Sequence, residues 1–277
     1  SLWSPAITYD MGGEISYDYA DETAIITGST RGIGKGIASG LAGADANVII
    51  NSPNEDEVSE VADKLDQRGS GTVVGVAADM QYPPDIDMLI QASIEHFGQI
   101  DLLVNNAAIW PREDRLVTAD IDDWNRTMNV NVRAQFYAAQ RVARHMIEAD
   151  VEGTIINHTS QAGDRRTDAF GLYGISKTAI RGLTWRMAQE LAESNIRMNA
   201  ISTDVTETHQ TRKEARIQAE TEDRTPEEIL QDRGKKRPLG RVGQPVDLAH
   251  AVMFLASEKA DYIVGDTLRV SGGGNLM

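Results

Sequence analysis

The chain has 277 residues, 41% of them hydrophobic, no cysteine, and 42 acidic against 27 basic residues, for a formal net charge of −15. That length suits one α/β domain with a sizeable core. The composition excludes disulfides and thiolate metal sites, argues against a nucleic-acid partner, and offers no apolar run near the roughly 18 residues that cross a bilayer. With no basic-then-apolar start, the expectation is a cytoplasmic protein with neither a membrane nor a nucleic-acid partner. High acidity with scarce lysine also points to a surface suited to concentrated salt, where screening relieves self-repulsion.

Residues 1–17, "SLWSPAITYDMGGEISY", show no period and read as an arm ahead of a domain over 18–277. "TAIIT" (23–27) then reads as a strand entering a helix from Gly32 to Ala44, and the turn between them carries Gly28, Gly32 and Gly34. Glycine lets the backbone come close to a bound group, and the N–H groups and dipole of a helix start favour an anion. This placement indicates a dinucleotide pyrophosphate rather than glycine kept for helix packing. The second strand, "NVII" (47–50), precedes a helix over 54–68 and ends with Asn51 and Ser52. An NAD-selective fold carries an acid there for the ribose 2′-hydroxyl.

The alternation continues through "TVVGVAA" (72–78), a helix over 84–97, "IDLLVN" (100–105) and a long helical segment over 120–149. After it come "GTIINHT" (153–159), a helix over 171–194, "IRMNAI" (196–201) and "DTLRV" (266–270). Seven apolar strands separated by helices define a Rossmann-type, doubly wound parallel sheet with helices on both faces, in a single α/β domain. Residues 205–237 break the rhythm with eight acidic and eight basic residues. Lying between the sixth and seventh strands, they are expected to form a lid beyond the carboxyl ends of the sheet.

Tyr173 and Lys177 are one helical turn apart and share a face. A free phenol ionises near pH 10, so a fixed ammonium and a positive nicotinamide beside it are expected to favour the phenolate. It would then accept the proton of an alcohol while hydride leaves, or return it in the reverse direction. The five histidines form no H-E-x-x-H pair, so no metal is expected. His158 reads as structural or as pocket lining.

The ordered motifs "TGSTRGIG", "NNAA" (105–108), "DWNRTMNVN" (123–131), "GTIINHTSQAG" (153–163), "YGISK" (173–177), "IRMNAIS" (196–202) and "GRVGQPVDLAHAVMFLAS" (240–257) resemble the single-domain short-chain dehydrogenases/reductases over about residues 19–274. The resemblance implies that Gly28, Thr30, Arg31, Gly32, Ile33 and Gly34 bind the cofactor phosphates, with Asn51 and Ser52 at the ribose. It likewise implies Asp79 and Met80 at the adenine, Asn105 and Ala107 for cofactor and sheet support, and Thr208 at the carboxamide. Arg31, with no acid at Asn51 or Ser52, makes NADP the preferred carrier and NAD the alternative. Catalysis is implied at Tyr173, at Lys177 (which also holds the nicotinamide ribose), at Ser160 orienting the substrate oxygen, and at Asn131 positioning a water. Taken singly, these are an ordinary buried tyrosine, surface lysine, strand-end serine and asparagine; the four together at family spacing are not. Two departures stand out: Ala108 replaces the last glycine of N-N-A-G, and Thr203-Asp204 replaces the usual Pro-Gly.

The substrate pocket is expected between Gln161–Phe170, Ile109–Arg112 and the lid. Gln161, Asp164, Arg165, Arg166 and Asp168 suit a sugar or sugar acid better than an acyl chain or steroid, and "DVEGTIINHTS" resembles bacterial glucose 1-dehydrogenases. Asp204 is expected to hydrogen-bond a polyhydroxylated substrate or to face solvent. The alternatives are a 3-oxoacyl thioester reductase and, further off, a non-catalytic dinucleotide sensor. The resemblance also implies a homotetramer paired through the helices at 120–149 and 171–194.

Overall fold

Side chains alternate across a strand, so adjacent apolar residues on a central strand serve opposite cores. Ile25 and Ile26 on β1 (Thr23–Ile26), Ile49 and Ile50 on β2 (Asn47–Ser52), and Leu103 and Val104 on β4 (Leu102–Asn105) are all fully buried and divide in this way. Strands buried on both faces need a helical layer on each. The computed structural model, which describes residues 16–111, 115–164 and 170–276, supplies both. With β3 (Val73–Ala77), β5 (Thr154–Ser160), β6 (Arg197–Thr203) and β7 (Thr267–Val270) the sheet is wholly parallel, in the order β3-β2-β1-β4-β5-β6-β7. One face is covered by α1 (Gly32–Ala42), α2 (Glu55–Leu65) and α9 (Pro245–Ala256), the other by α3 (Pro83–Phe97), α5 (Ala134–Ala149) and α6 (Gly171–Leu191).

The expected strands and their connecting helices are present, with three differences. The segment over 120–149 is not one helix: α4 (Ile121–Met128) passes through a π-helical turn, Asn129–Arg133, into α5. α9 has no counterpart among the elements expected from the sequence, because it is buried on most sides against α1 and the sheet, which erases its 3.6-residue period. The charged insertion folds as α7 (His209–Glu222) and α8 (Pro226–Lys235), closed on a small core of Ala215, Ala219, Ile229 and Leu230. Of the expected arm, residues 1–15 lie outside those described; Tyr17 packs against the core and stacks on the buried Tyr19 at 6.2 Å.

At the amino-terminal end of the sheet the Asp101 carboxylate accepts the Thr23 N–H at 2.8 Å, beside Glu22. Burial first, and then the Asp101 charge, push the Glu22 carboxyl up to about 7, against a smaller opposing pull from Arg197. A carboxyl raised in the folded state binds more protons there than when unfolded, so its contribution is present at acid pH and is lost as pH rises towards 7. Glu22→Gln should therefore raise the urea midpoint at about pH 8 and change it far less at about pH 5, since only the ionised form is penalised. Equal midpoint shifts at both pH values would contradict this.

Candidate active site

β1 ends at Ile26, and the chain turns through Gly28 with a φ of +64°, a left-handed conformation that favours glycine. α1 then starts with Arg31 as N-cap, without a side-chain cap and without an acid in the first turn. This bare helix start opens into a cleft of about 780 Å³ at the carboxyl ends of the strands, lined there by Arg31, Gly32, Ile33 and Gly34. A Cβ on Gly34 would fall 2.4 Å from the Gly28 carbonyl oxygen and 2.5 Å from Asn106 Nδ2, so the loop closes only around glycine. Unsatisfied N–H groups, a positive dipole end and no competing acid fit a pyrophosphate. Arg31 is exposed and, among the described residues, makes no ion pair. Further along the helix, a Cβ on Gly36 would fall 2.4 Å from Pro245 Cβ, so the same glycine-rich segment also serves helix packing.

Several residues expected to touch the cofactor have side chains engaged within the protein, and Asn51 braces this loop. Asn51 is fully buried: its Oδ1 accepts the Gly28 N–H at 3.2 Å and its amide donates to the carbonyls of Val76 and Ala78 at 3.3 and 3.0 Å. A buried amide must find protein partners, and here that leaves no side-chain group for a ribose. The Ser52 hydroxyl bonds the Asn54 backbone, and Thr30 donates to Glu57 at 3.1 Å. Asp79 accepts the Gln81 N–H at 2.9 Å beyond β3, and Met80 is buried. Asn105 is 1% exposed and donates to the Gln135 carbonyl and to Asn157 Oδ1, which makes it sheet support. Ala107 donates its N–H to Thr27 Oγ1 at 2.9 Å. Asn106, missing from the sequence-based set, also lines the cleft and donates to the carbonyls of Thr27 and Gly28. Its signal was the second asparagine of "NNAA", the first residue beyond the end of β4.

Ser160 ends β5, Tyr173 sits near the start of α6, and their hydroxyls hydrogen-bond at the cleft wall. Lys177 lies behind them, 1% exposed, with Nζ donating to the His158 carbonyl at 2.7 Å and 5.4 Å from the Tyr173 ring centre. Burial pushes the Tyr173 phenol up to about 12, with the Ser160 hydrogen bond pulling the other way, and burial brings the Lys177 amine down to about 7. In the protein alone the low-dielectric wall penalises both charged forms, so the acidic phenol expected from the sequence depends on the added charge of a bound nicotinamide. The His158 imidazole bridges Asn106 Oδ1 at 3.0 Å and Thr203 Oγ1 at 3.3 Å. Held neutral by burial and then by Lys177, at about 3, it is a structural bridge. Asn131, placed inward by the π-helical turn, spends its side chain on both backbone groups of Ile109, at 2.8 and 3.0 Å, and on Ser176 Oγ at 3.1 Å.

α7 and α8 overhang the cleft through His209, Glu214, Arg233 and Lys236, and Thr208, which caps α7, lines it beside Gly32. Asp204 lines the cleft, but its carboxylate is largely withdrawn from solvent into an ion pair. Arg237, just past α8, grips it with Nε at 2.8 Å and Nη2 at 3.2 Å, and the two side chains are 7% and 11% exposed. The pair fastens the lid to the end of β6. Among the expected substrate contacts, Gln161 is buried and Asp164 pairs with Arg181, whereas Arg112, Arg165, Arg166 and Asp168 lie outside the described residues.

A family model described as enoyl-(acyl carrier protein) reductase matches residues 28–275. Glucose 1-dehydrogenase 2 of Bacillus subtilis is 32% identical, the match covering 94% of this chain and 96% of that protein. The 3-oxoacyl-[acyl-carrier-protein] reductase FabG of Vibrio cholerae is 33% identical over 91% of this chain and 96% of its own. Among solved structures, L-sorbose reductase of Gluconobacter frateurii, complexed with NADPH and L-sorbose, superposes with a TM-score of 0.89 at 28% identity, covering 94% of this chain and 98% of that one.

Removing one partner of a buried ion pair strands the other charge, at a cost of about 3 kcal/mol. Asp204→Ala should lose roughly that much stability in urea unfolding, and Asp204→Ala/Arg237→Met should regain most of it. A double variant no more stable than Asp204→Ala would show that the pair does not carry the effect.

Proposed function

The chain belongs to the short-chain dehydrogenase/reductase family, and we propose that it uses NADP to oxidise a hydroxyl carbon of a sugar or sugar acid. The family chemistry is hydride transfer between a nicotinamide carrier and an alcohol or carbonyl carbon. The observation that carries the reading is the meeting of the Ser160 and Tyr173 hydroxyls, with Lys177 behind them, on the wall of the cleft that receives the bare start of α1. The lid side chains give that cleft a polar rim of donors and acceptors, which suits a polyhydroxylated ligand. The sugar reading is supported by the likeness to a glucose dehydrogenase and a sorbose reductase. The likeness to an acyl-carrier-protein reductase keeps a 3-oxoacyl thioester as the second reading.

A bound nicotinamide supplies the hydride acceptor; proton handling and orientation fall to the chain. Ser160 holds the substrate oxygen and Tyr173 takes the hydroxyl proton as the carbon gives up hydride, so an alcohol becomes a carbonyl. Burial that raises the phenol makes proton removal in the oxidative direction demand alkaline pH or added positive charge. Lys177 supplies positive charge from below when protonated. Gly32 to Gly34 hold the phosphates on a loop braced by Asn106, and Arg31 is proposed to select the 2′-phosphate. Exposed Trp124, Phe136, Ile147, Ile175 and Trp185 on α4, α5 and α6 support the tetramer proposal. The acidic composition supports a cytoplasm rich in salt. Sedimentation in molar KCl should give a tetramer; a monomer there would overturn the assembly.

A panel of sugars and sugar acids with NADP⁺, read at the absorbance of the reduced carrier, tests the reading against acetoacetyl thioesters. Oxidation should rise with pH across the alkaline range and the reverse reduction should fall, because the first needs the phenolate of a phenol that burial raises and the second needs the phenol. Tyr173→Phe should cost at least about a hundredfold in kcat. Arg31→Ala should raise the KM for NADP⁺ and leave that for NAD⁺ nearly unchanged. Activity on the thioester and on no sugar would reverse the substrate assignment.

A further inference from the structure

Trp110 crosses the mouth of the cleft in a stretch, residues 106–111, that is neither helix nor strand. Its indole lies over the Tyr173 ring, with centres 4.2 Å apart and planes 26° apart, and meets Phe170 edge-on at 5.4 Å. An unsupported segment does not hold an aromatic ring in register, and the support here is Asn131. That side chain accepts the N–H and donates to the carbonyl of Ile109, the residue preceding Trp110. The same amide donates to Ser176 Oγ at 3.1 Å, and the Ser176 hydroxyl donates to the Tyr173 carbonyl at 2.7 Å. One buried amide thus ties together the two pieces of chain that carry the stacked rings.

We propose that Trp110 is a positioning residue for Tyr173, seated by Asn131 through the backbone of Ile109, so that the indole and the amide act as one unit. Reaching Ser160 and a substrate oxygen at once requires the phenol ring to lie in one plane. Covering one of its faces with an indole removes the alternative planes, and offset stacking is the preferred contact for such rings. Among the described residues, the Asn131 side chain meets the segments that carry the two rings at Ile109 and Ser176.

The kinetic part of the test rests on the dehydrogenase reading; the structural part does not. Trp110→Ala, Trp110→Phe, Asn131→Ala and Trp110→Ala/Asn131→Ala would be compared for kcat at saturating carrier, for NADPH affinity by its fluorescence, and for amide hydrogen exchange in residues 174–177. Trp110→Ala should lower kcat about tenfold, leave NADPH affinity within about twofold, and speed exchange in that turn. Trp110→Phe should restore most of both, since it keeps a stacking ring. The double variant should be no slower than the slower single one, as expected for residues acting as a unit. Unchanged kcat and exchange in Trp110→Ala, a phenylalanine variant as impaired as the alanine one, or losses that multiply would each overturn the proposal. A wild-type protein with no turnover on any sugar or thioester would remove the functional reading alone, and the exchange result would then decide this one.

Discussion

The site is built around a buried amine. Lys177 heads the largest side chains with almost no exposure, and its Nζ has the carbonyl of His158 as its hydrogen-bond acceptor. An ammonium so placed is expensive unless it is bonded, so α6 must sit against β5 at one height, where the Thr159 hydroxyl also donates to the Lys177 carbonyl at 2.7 Å. With that height set, Tyr173, one turn earlier, falls beside Ser160 at the strand end. The approach of Ser160 and Tyr173 thus follows from the seating of a helix on a strand, and the amine's low basicity follows from the same burial.

A second constraint works from the other side of the cleft. The π-helical turn between α4 and α5 adds a residue to the helical spiral and rotates Asn131 into the interior. There it organises a stretch of chain that has no regular structure. The glycine loop is organised in the same manner from beneath, by Asn51, Asn106 and Thr27. In both places a buried amide replaces a missing ladder of backbone hydrogen bonds.

Charge is distributed unevenly over this frame. The chain carries a net −15, yet the cleft is lined by Arg31, Arg126, Arg233, Lys236 and Arg237 against Asp123, Asp204 and Glu214. A cationic cleft in an acidic body focuses anions on the opening, as a phosphate-rich carrier requires. Asp204 neutralises Arg237 and in doing so fastens the lid. The departure from the family's Pro-Gly at Thr203-Asp204 therefore has a structural use: Thr203 reaches His158 and Asp204 reaches α8.

Local patterns determined much of this in the sequence itself. Strand runs such as "TAIIT" and "IDLLVN", the glycine turn before the first helix, and the spacing of Ser160, Tyr173 and Lys177 depend on neighbours a few residues apart or on motif order, and both are visible in one dimension. Whether an asparagine faces ligand or core is not local. Asn51, Asn105 and Asn106 are alike as letters, and only the packing of three strands turns the first two inward. α9 was hidden because burial on most sides removes the period that marks a helix. The Asp204–Arg237 pair joins positions 33 residues apart, and the stack of Trp110 on Tyr173 joins two distant segments. The ionisation of the phenol divides in the same way, since adjacency to a lysine is written in the sequence while the desolvation that opposes it belongs to the folded interior.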